Sequence, residues 1–198
     1  MDLEMQDISN VEPNNEANAE FDIDSDIENK NDKREIGNLA TWTVSSSKPG
    51  FGVEQLRNDN VDTFWQSDGP QPHYINIHFI KKVSIKLLSF YTQYRQDESY
   101  TPSKISVKAG TGFHDLQEVI ALDLNEPSGW VHVTLGDCGK DGLLRTHLLQ
   151  LCVQANHQNG KDTHIRLVKV FAPRIYASDE TDILPYTSIA FSKHLKVR

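Results

Sequence analysis

The sequence predicts an all-β domain, folded as a jelly-roll β-sandwich, from residue 34 to residue 173. Short apolar runs alternate there with clusters of turn-forming residues, and the periodicity of amphipathic helices is lacking. Eight strand candidates follow one another at even spacing, which is typical of a two-sheet sandwich. A chain of this length suits one compact domain with a buried core.

The strand candidates are recognised by their β-branched and aromatic residues and by alternation of apolar with polar side chains. Between Tyr74 and Phe79, for example, Ile75 and Ile77 alternate with polar neighbours, so one face of the strand is apolar. The eight candidates, in order, are Leu39–Ser45, Tyr74–Phe79, Val83–Gln93, Lys104–Ala109, Gln117–Leu124, Trp130–Leu135, Thr146–Gln154 and Thr163–Phe171.

The connections between these strands are rich in Gly, Pro, Asn and Asp, the ordinary turn residues. A short helix is predicted from Val53 to Arg57, because a polar stop follows it. Phe64 and Trp65 stand among loop-type residues, which predicts a buried anchor that fixes a long connection to the sandwich.

Charge divides the chain into two parts. Residues 1–33 hold eleven acidic side chains and two lysines, a net charge of −9, although the whole chain carries −8. The remaining residues therefore sum to +1. We expect residues 1–33 to form a disordered acidic tail, because their isolated apolar residues cannot offset the entropy of ordering. Residues 174–198 are predicted to form a flexible C-terminal extension.

Several classes of protein are disfavoured by what the sequence lacks. A near-neutral domain has no clustered basic face for nucleic acid, and no apolar run is long enough to cross a bilayer. The two cysteines, Cys138 and Cys152, are too few for a disulfide scaffold. Because a signal peptide and glycosylation sequons are also lacking, we expect an intracellular protein without nucleic-acid or membrane partners.

No signature of catalysis is complete. The sequence has no nucleophile elbow, phosphate-cradling loop, dinucleotide fingerprint or zinc-protease motif. His157 and His164 lie seven residues apart around a glycine-containing loop, but no cysteine or third histidine stands nearby to complete a tetrahedral metal site. We therefore predict no catalytic residue, no metal and no cofactor.

Two loops are dense in side chains that make directed contacts: the first polar loop, residues 94–103, and the second polar loop, residues 156–164. Adjacent amides, carboxylates and a tyrosine suit an extended peptide or a sugar, whose recognition needs several donors and acceptors at once. Composition leaves a second interpretation open, a pair of solvated surface loops, because Asn, Asp and Gly are also turn residues.

Longer motifs carry a resemblance to a known family. The stretch from Asp59 to Gly69 is similar to the Asp-Asn-x-x-Thr-x-Trp-x-Ser-Asp-Gly element of galactose-binding-like, discoidin-type jelly rolls. Further strings stand in order: Arg34-Glu35-Ile36-Gly37, Ser47-Lys48-Pro49-Gly50-Phe51-Gly52-Val53, Asp97-Glu98-Ser99-Tyr100-Thr101-Pro102-Ser103-Lys104-Ile105-Ser106-Val107, Glu126-Pro127-Ser128-Gly129-Trp130 and Ala155-Asn156-His157-Gln158-Asn159-Gly160-Lys161-Asp162-Thr163-His164. With these strings, residues 34–173 resemble the DOC domain of the subunit 10 family of the anaphase-promoting complex.

The resemblance implies a non-catalytic subunit of a large ubiquitin ligase of the cell cycle, present in nucleus and cytoplasm. Members of the family promote processive ubiquitination and form, with a WD40 coactivator, a shared receptor for the destruction-box degron of substrates such as cyclins. By the same resemblance, the degron-binding residues are Asp97, Glu98, Ser99, Tyr100, Asn156, His157, Gln158, Asn159 and Asp162.

The family also ends in Ile-Arg, a tail that docks into a tetratricopeptide-repeat scaffold subunit. This chain ends in Val197-Arg198. Valine keeps the β-branched apolar shape and lacks one methylene, a loss of roughly 0.8 kcal/mol if it is fully buried. We therefore expect docking to survive the substitution and to be weaker than with isoleucine.

Two rival functions remain. One is a glycan-binding module, since the same jelly roll serves as a lectin in extracellular proteins; the missing signal peptide and disulfides argue against it. The other is a hydrolase that uses Asp97, Glu98 or Asp162 as paired carboxylates. Nothing in the sequence fixes their separation or raises the pKa of one of them.

Overall fold

The computed structural model describes residues 32–136 and 142–174, which fold as a β-sandwich. Strands in this described part are Lys33–Glu35 (β1), Ala40–Val44 (β2), Trp65–Gln66 (β3), His73–Ile85 (β4), Leu87–Gln93 (β5), Pro102–Gly110 (β6), Gln117–Asp123 (β7), Ser128–Thr134 (β8), Leu144–Asn156 (β9), His164–Ile165 (β10) and Leu167–Pro173 (β11). One α-helical turn, Tyr94–Asp97 (α1), is accompanied by 3-10 turns at Gly37–Leu39, Val53–Leu56, Glu98–Tyr100 and His157–Asn159. The predicted all-β fold is confirmed.

Two antiparallel sheets face each other. The larger has the strand order β2-β4-β9-β6-β7, and the smaller has the order β1-β11-β5-β8. Strands β3 and β10 form a separate two-stranded pair. Neighbours in the sheets are mostly distant in sequence, so the chain crosses repeatedly from one sheet to the other, as a jelly roll requires.

The core lies between the sheets, because alternate residues of the long strands face inward. The register places Ile75 opposite Leu151 in the larger sheet and Phe90 opposite Val168 in the smaller one. All four side chains are fully buried. Burial of side chains of this size contributes about 1.5–3 kcal/mol each, which makes this inner layer the main source of stability.

The long connection between β2 and β4 is anchored as the sequence predicts. Trp65 is fully buried, and its indole N–H donates to the carbonyl of Ser46 at 2.9 Å. The ring therefore joins the core without leaving its polar atom unpaired. Its neighbour Phe64 is half-buried and packs under the polar loops instead.

Two predicted strands are divided in the structure. Candidate Val83–Gln93 spans a crossing, since β4 continues through a bulge to Ile85 and the chain passes to the other sheet at Lys86. Candidate Thr163–Phe171 separates into β10 and β11, whose partners are β3 and β5. Alternation of side chains cannot locate these crossings, because an apolar pattern continues through each of them.

The described domain begins before the boundary predicted at Arg34. Strand β1 starts at Lys33, and Arg174 donates its backbone N–H to the Asp32 carbonyl at 2.9 Å. The Asp32 carboxylate also pairs with Lys86. The predicted helix at 53–57 is a single 3-10 turn, Val53–Leu56.

The long strands run between two ends of the sandwich. Strand β6 begins at Pro102 beside Asn156, the last residue of β9, and both polar loops lie at this loop end. The far end comprises residues 79–85 of β4, Lys86, and residues 111–116 between β6 and β7. Eight residue steps along β6 separate the two ends by roughly 26 Å.

Residues 1–31, 137–141 and 175–198 lie outside the described residues. All but the last two residues of the predicted acidic tail lie there, as do residues 175–198 of the predicted C-terminal extension with Val197 and Arg198. The disorder of the tail and the docking role of Val197 and Arg198 therefore stay predictions.

Candidate functional site

The two polar loops meet at the loop end. The backbone N–H of His157 donates to the Thr101 carbonyl at 2.9 Å, which fastens the second loop to the first. The rings of Tyr94 and His157 meet edge to face with centroids 4.9 Å apart, and Gln158 Nε2 donates to the Tyr94 hydroxyl at 3.4 Å. The loops therefore form one continuous surface.

A glycine allows this close approach. A Cβ atom at Gly160 would lie 1.7 Å from the Ser99 carbonyl oxygen, so no side chain fits there. Its φ of −60° is ordinary, and the requirement for glycine is therefore one of space alone. The Gly160 carbonyl also accepts from Gln71 Nε2 at 2.9 Å and from Asn156 Nδ2 at 3.2 Å.

Asp97 lies inside the loop end, although the resemblance assigned it to degron contact. Only 6% of the residue is exposed. Its two carboxylate oxygens accept from Arg166 Nη2 at 2.8 and 2.9 Å, and Oδ1 lies 3.1 Å from His164 Nδ1. Arg166 Nη1 also donates to the Val61 carbonyl at 2.8 Å. Both oxygens of the Asp97 carboxylate are engaged in this network, so the geometry gives Asp97 a role in positioning the first polar loop.

Asn156 is likewise internal. Its Nδ2 donates to the Asp162 carbonyl at 2.8 Å and to Gly160, both within the second polar loop. The side chain is nearly fully buried. Its amide therefore shapes the loop from beneath and does not face solvent.

The remaining predicted site residues reach the surface to different degrees. The exposed ones are Glu98, Tyr100, Gln158 and Asn159, and the half-buried ones are Ser99, His157 and Asp162. Glu98, Gln158 and Asn159 adopt φ values of 43°, 51° and 57°. A left-handed backbone at such residues costs on the order of 1 kcal/mol or more and persists only where surrounding contacts impose it.

An aromatic stack under the loops was not predicted from the sequence. Phe51, Phe64, His164 and Tyr100 follow one another, with centroid separations of 5.1, 4.1 and 4.3 Å. Tyr100 ends the stack at the surface and is 39% exposed. The Arg166 guanidinium lies 5.4 Å from the Phe64 ring centroid. Phe64 beside Trp65 was the one sequence signal that pointed to it.

The histidine pair considered as a metal site serves other contacts. His164 is held by the stack and by Asp97, and His157 packs on Tyr94. Within residues 32–136 and 142–174, no group of three or more His, Cys, Asp and Glu side chains is placed to hold a metal ion. In the same ranges, no helix is long and apolar enough to span a membrane.

The strand order of the two facing sheets defines a jelly-roll β-sandwich, with the two polar loops at one end. A family 32 carbohydrate-binding module of Clostridium perfringens NanJ, solved with galactose, matches with a TM-score of 0.59 over 70% of this chain and 98% of that chain, at 12% identity. The corresponding module of AlyQ, in complex with 4,5-unsaturated mannuronic acid, gives a TM-score of 0.55 over 70% and 98%, at 15% identity. At these identities the likeness shows the fold alone.

The sequence places the chain more narrowly. Residues 10–196 match the family described as "Anaphase-promoting complex, subunit 10 (APC10)". "Anaphase-promoting complex subunit 10" of Schizosaccharomyces pombe is 54% identical over 165 residues, which are 83% of this chain and 87% of the relative. The Homo sapiens protein of the same name is 58% identical over 140 residues, 71% of this chain and 75% of the relative. The chain belongs to the anaphase-promoting complex subunit 10 family, as the resemblance predicted.

Proposed function

We propose that this chain is the subunit 10 component of an anaphase-promoting complex, without catalytic activity of its own, and that its loop end binds the destruction-box degron of substrates together with a WD40 coactivator. Family membership supports the assembly. The observation that carries the binding role is the locking of the two polar loops into one surface. In a cell-cycle ligase the chain acts in nucleus and cytoplasm on substrates such as cyclins.

The exposed side chains of this surface suit an extended peptide. The amides of Gln158 and Asn159 offer both donors and acceptors for a peptide backbone. Glu98 offers a carboxylate for a basic degron side chain, and Tyr100 offers an aromatic face for an apolar one. The buried Asp97 network holds these groups in place before the ligand arrives, which lowers the entropy that binding must overcome.

Such a site need not bind tightly. When the other end of the degron sits on the coactivator, the second contact becomes intramolecular and is strengthened by effective concentration. The consequence is a slower dissociation of the substrate, because affinity among related complexes is set mainly by the dissociation rate. More ubiquitins are then added per encounter by the catalytic subunits.

The experiment is a double substitution, Gln158→Ala with Asn159→Ala, in the reconstituted ligase. We expect normal incorporation into the complex and several-fold fewer ubiquitins per substrate encounter. Asn125→Ala is a matched control, because Asn125 is an exposed amide outside both polar loops. Wild-type processivity of the double variant contradicts the proposal. Asn156 is left unchanged, since its loss would disturb the loop itself.

The C-terminal residues Val197 and Arg198 are proposed to dock into a tetratricopeptide-repeat scaffold subunit. The terminal carboxylate and the guanidinium offer opposite charges for a groove to pair with. Deleting the two residues should reduce co-purification with the scaffold without changing the unfolding midpoint of the isolated chain. Full retention in the complex after this deletion argues against the docking role.

A carbohydrate is the alternative ligand for the loop end. The structural neighbours solved with sugars support only the shared fold. A glycan array with the purified chain distinguishes the two ligands, and binding that Gln158→Ala abolishes would favour the sugar.

A further inference from the structure

The far end of the sandwich exposes a set of large apolar side chains. Ile80 is 86% exposed, Phe113 is 65% exposed and Leu39 is 53% exposed, the three highest values among large apolar residues in the described part of the chain. Single exposed apolar residues are common on protein surfaces, whereas several at one end of a domain indicate a candidate interaction surface.

Strand register brings these three residues to one end. Ala40, the first residue of β2, pairs with Phe79 of β4, so Leu39 and Ile80, each next to one of these residues, lie at the same end of the two strands. The turn between β6 and β7, which holds Phe113, emerges at the same end beyond Gly110. All three lie away from the loop end, because β4 and β6 both begin at the loop end and finish at the far end.

A cleft of about 570 Å³ opens at this same end. Val119 and Leu144 contribute apolar surface to its lining, and Lys82 and Arg145 contribute positive charge. The carboxylate of Asp115, also in the lining, is already taken by hydrogen bonds within its own turn.

Two lysines give the far end positive charge next to Ile80. Lys81 and Lys82 follow Ile80 directly and are exposed, and no ion pair to either is found among the described residues. Glu118, an acidic residue of the cleft lining, lies opposite Lys108 across β6 and β7. An apolar surface edged by lysines complements a partner surface with apolar pockets and an acidic edge.

We propose that the far end is the face by which this chain is held in the ligase, with Ile80 and Phe113 inserted into apolar pockets of another subunit whose carboxylates pair with Lys81 and Lys82. The inference rests on the proposed function. The arrangement leaves the loop end open to the degron, because roughly 26 Å of strand separates the two surfaces.

The first test places a photo-crosslinking amino acid at position 80 or at position 113 of the full chain in cells. We expect crosslinks to another ligase subunit from both positions and fewer from position 61, where Val61 is exposed near the loop end. Crosslinks to residues 1–31 of the same chain, or to a second copy of the chain, would overturn the proposal.

The second test measures recovery of the Ile80→Ser/Phe113→Ser double variant with the ligase, with the last two residues present and with them deleted. We expect at least a tenfold loss of recovery in the background without the tail, and wild-type recovery for Val61→Ser. An unchanged unfolding midpoint shows that the variant is folded. Wild-type recovery of the double variant in both backgrounds overturns the inference, whereas failure to recover the unmodified chain contradicts the proposed function instead.

Discussion

Asp97 and Arg166 form a buried two-oxygen ion pair that joins the first polar loop to the junction of β10 and β11. Arg166 Nη2 lies 2.8 and 2.9 Å from the two Asp97 oxygens, and Nε lies 3.2 Å from Oδ2. Both charges are removed from water, so each depends on the other for compensation. The pair thereby holds in place the backbone that leads into the Glu98–Tyr100 turn.

The first prediction is that Asp97→Asn destabilises the protein strongly. The substitution keeps the shape of the side chain but leaves the buried Arg166 charge uncompensated, for which a loss of about 3–5 kcal/mol is expected. Urea unfolding measures it, and Glu98→Gln, one residue later and exposed, should change the free energy of unfolding by less than about 0.5 kcal/mol. Equal effects of the two substitutions would contradict a positioning role for Asp97.

A second prediction concerns the contact between the polar loops. Gly160→Ala places a Cβ against the Ser99 carbonyl and must push the loops apart. We expect a loss of about 1–3 kcal/mol in the free energy of unfolding, typical of overpacking, together with weaker degron binding. Gly69→Ala is the control, since its Cβ would meet only the Ser46 side chain at 3.1 Å or more. Degron binding unaffected by Gly160→Ala would show that the loop contact is not needed.

The general fold could be predicted from the sequence because burial on one face imposes alternation on each strand. Ile75 and Ile77 are fully buried on β4, as their alternation indicates. The crossing at Lys86 could not be predicted, since the apolar pattern runs through it from one sheet to the other. Strand β3 could not be predicted for a different reason, because a strand of two residues is too short to show a periodicity.

The position of the candidate site could be predicted, but the division of labour within it could not. Composition located both polar loops, and their exposed residues Gln158 and Asn159 lie where a ligand can reach them. Asp97 and Asn156 are polar residues of the same two loops, yet both are buried. Asp97 is buried by its pairing with Arg166, which lies 69 residues away in the sequence. Asn156 is buried by the conformation of the second polar loop. Loop composition contains neither piece of information.

A third prediction concerns acid stability at the far end. The Asp115 carboxylate accepts from the Thr111 hydroxyl at 2.5 Å and from the backbone N–H groups of Thr111 and Gly112 at 3.0 and 2.8 Å. These hydrogen bonds, the Thr111 hydroxyl first, lower the pKa of Asp115 to about 2. The unfolded chain takes up this proton near pH 3.9, so the stabilisation is complete above about pH 4 and is lost as the pH falls toward 2.

The measurement is urea unfolding of wild type and Asp115→Asn at neutral pH and at several values between pH 4 and pH 2. We expect the variant to be less stable at neutral pH and the difference to shrink progressively below pH 4. Asp68→Asn, at an exposed position, is the control substitution. A difference that stays constant down to pH 2 would contradict the role of the ionised carboxylate.

The last prediction separates the acidic tail from the domain by truncation. Deleting residues 1–31 keeps β1 and the ion pair between Asp32 and Lys86, so the free energy of unfolding should change by less than about 0.5 kcal/mol. Deleting residues 1–35 removes β1 and also Glu35, whose Oε1 lies 2.9 Å from Arg57 Nη1 and accepts the Gly37 N–H at 2.9 Å.

A clear loss of stability is therefore expected only for the longer truncation, since it strips hydrogen bonds from the edge of β11 and leaves Arg57 without its carboxylate. Urea unfolding of both chains gives the comparison, and recovery with the ligase gives a second readout. A large loss from the shorter deletion would show that residues 1–31 contribute contacts of their own, and the domain boundary would then have to move toward the N-terminus.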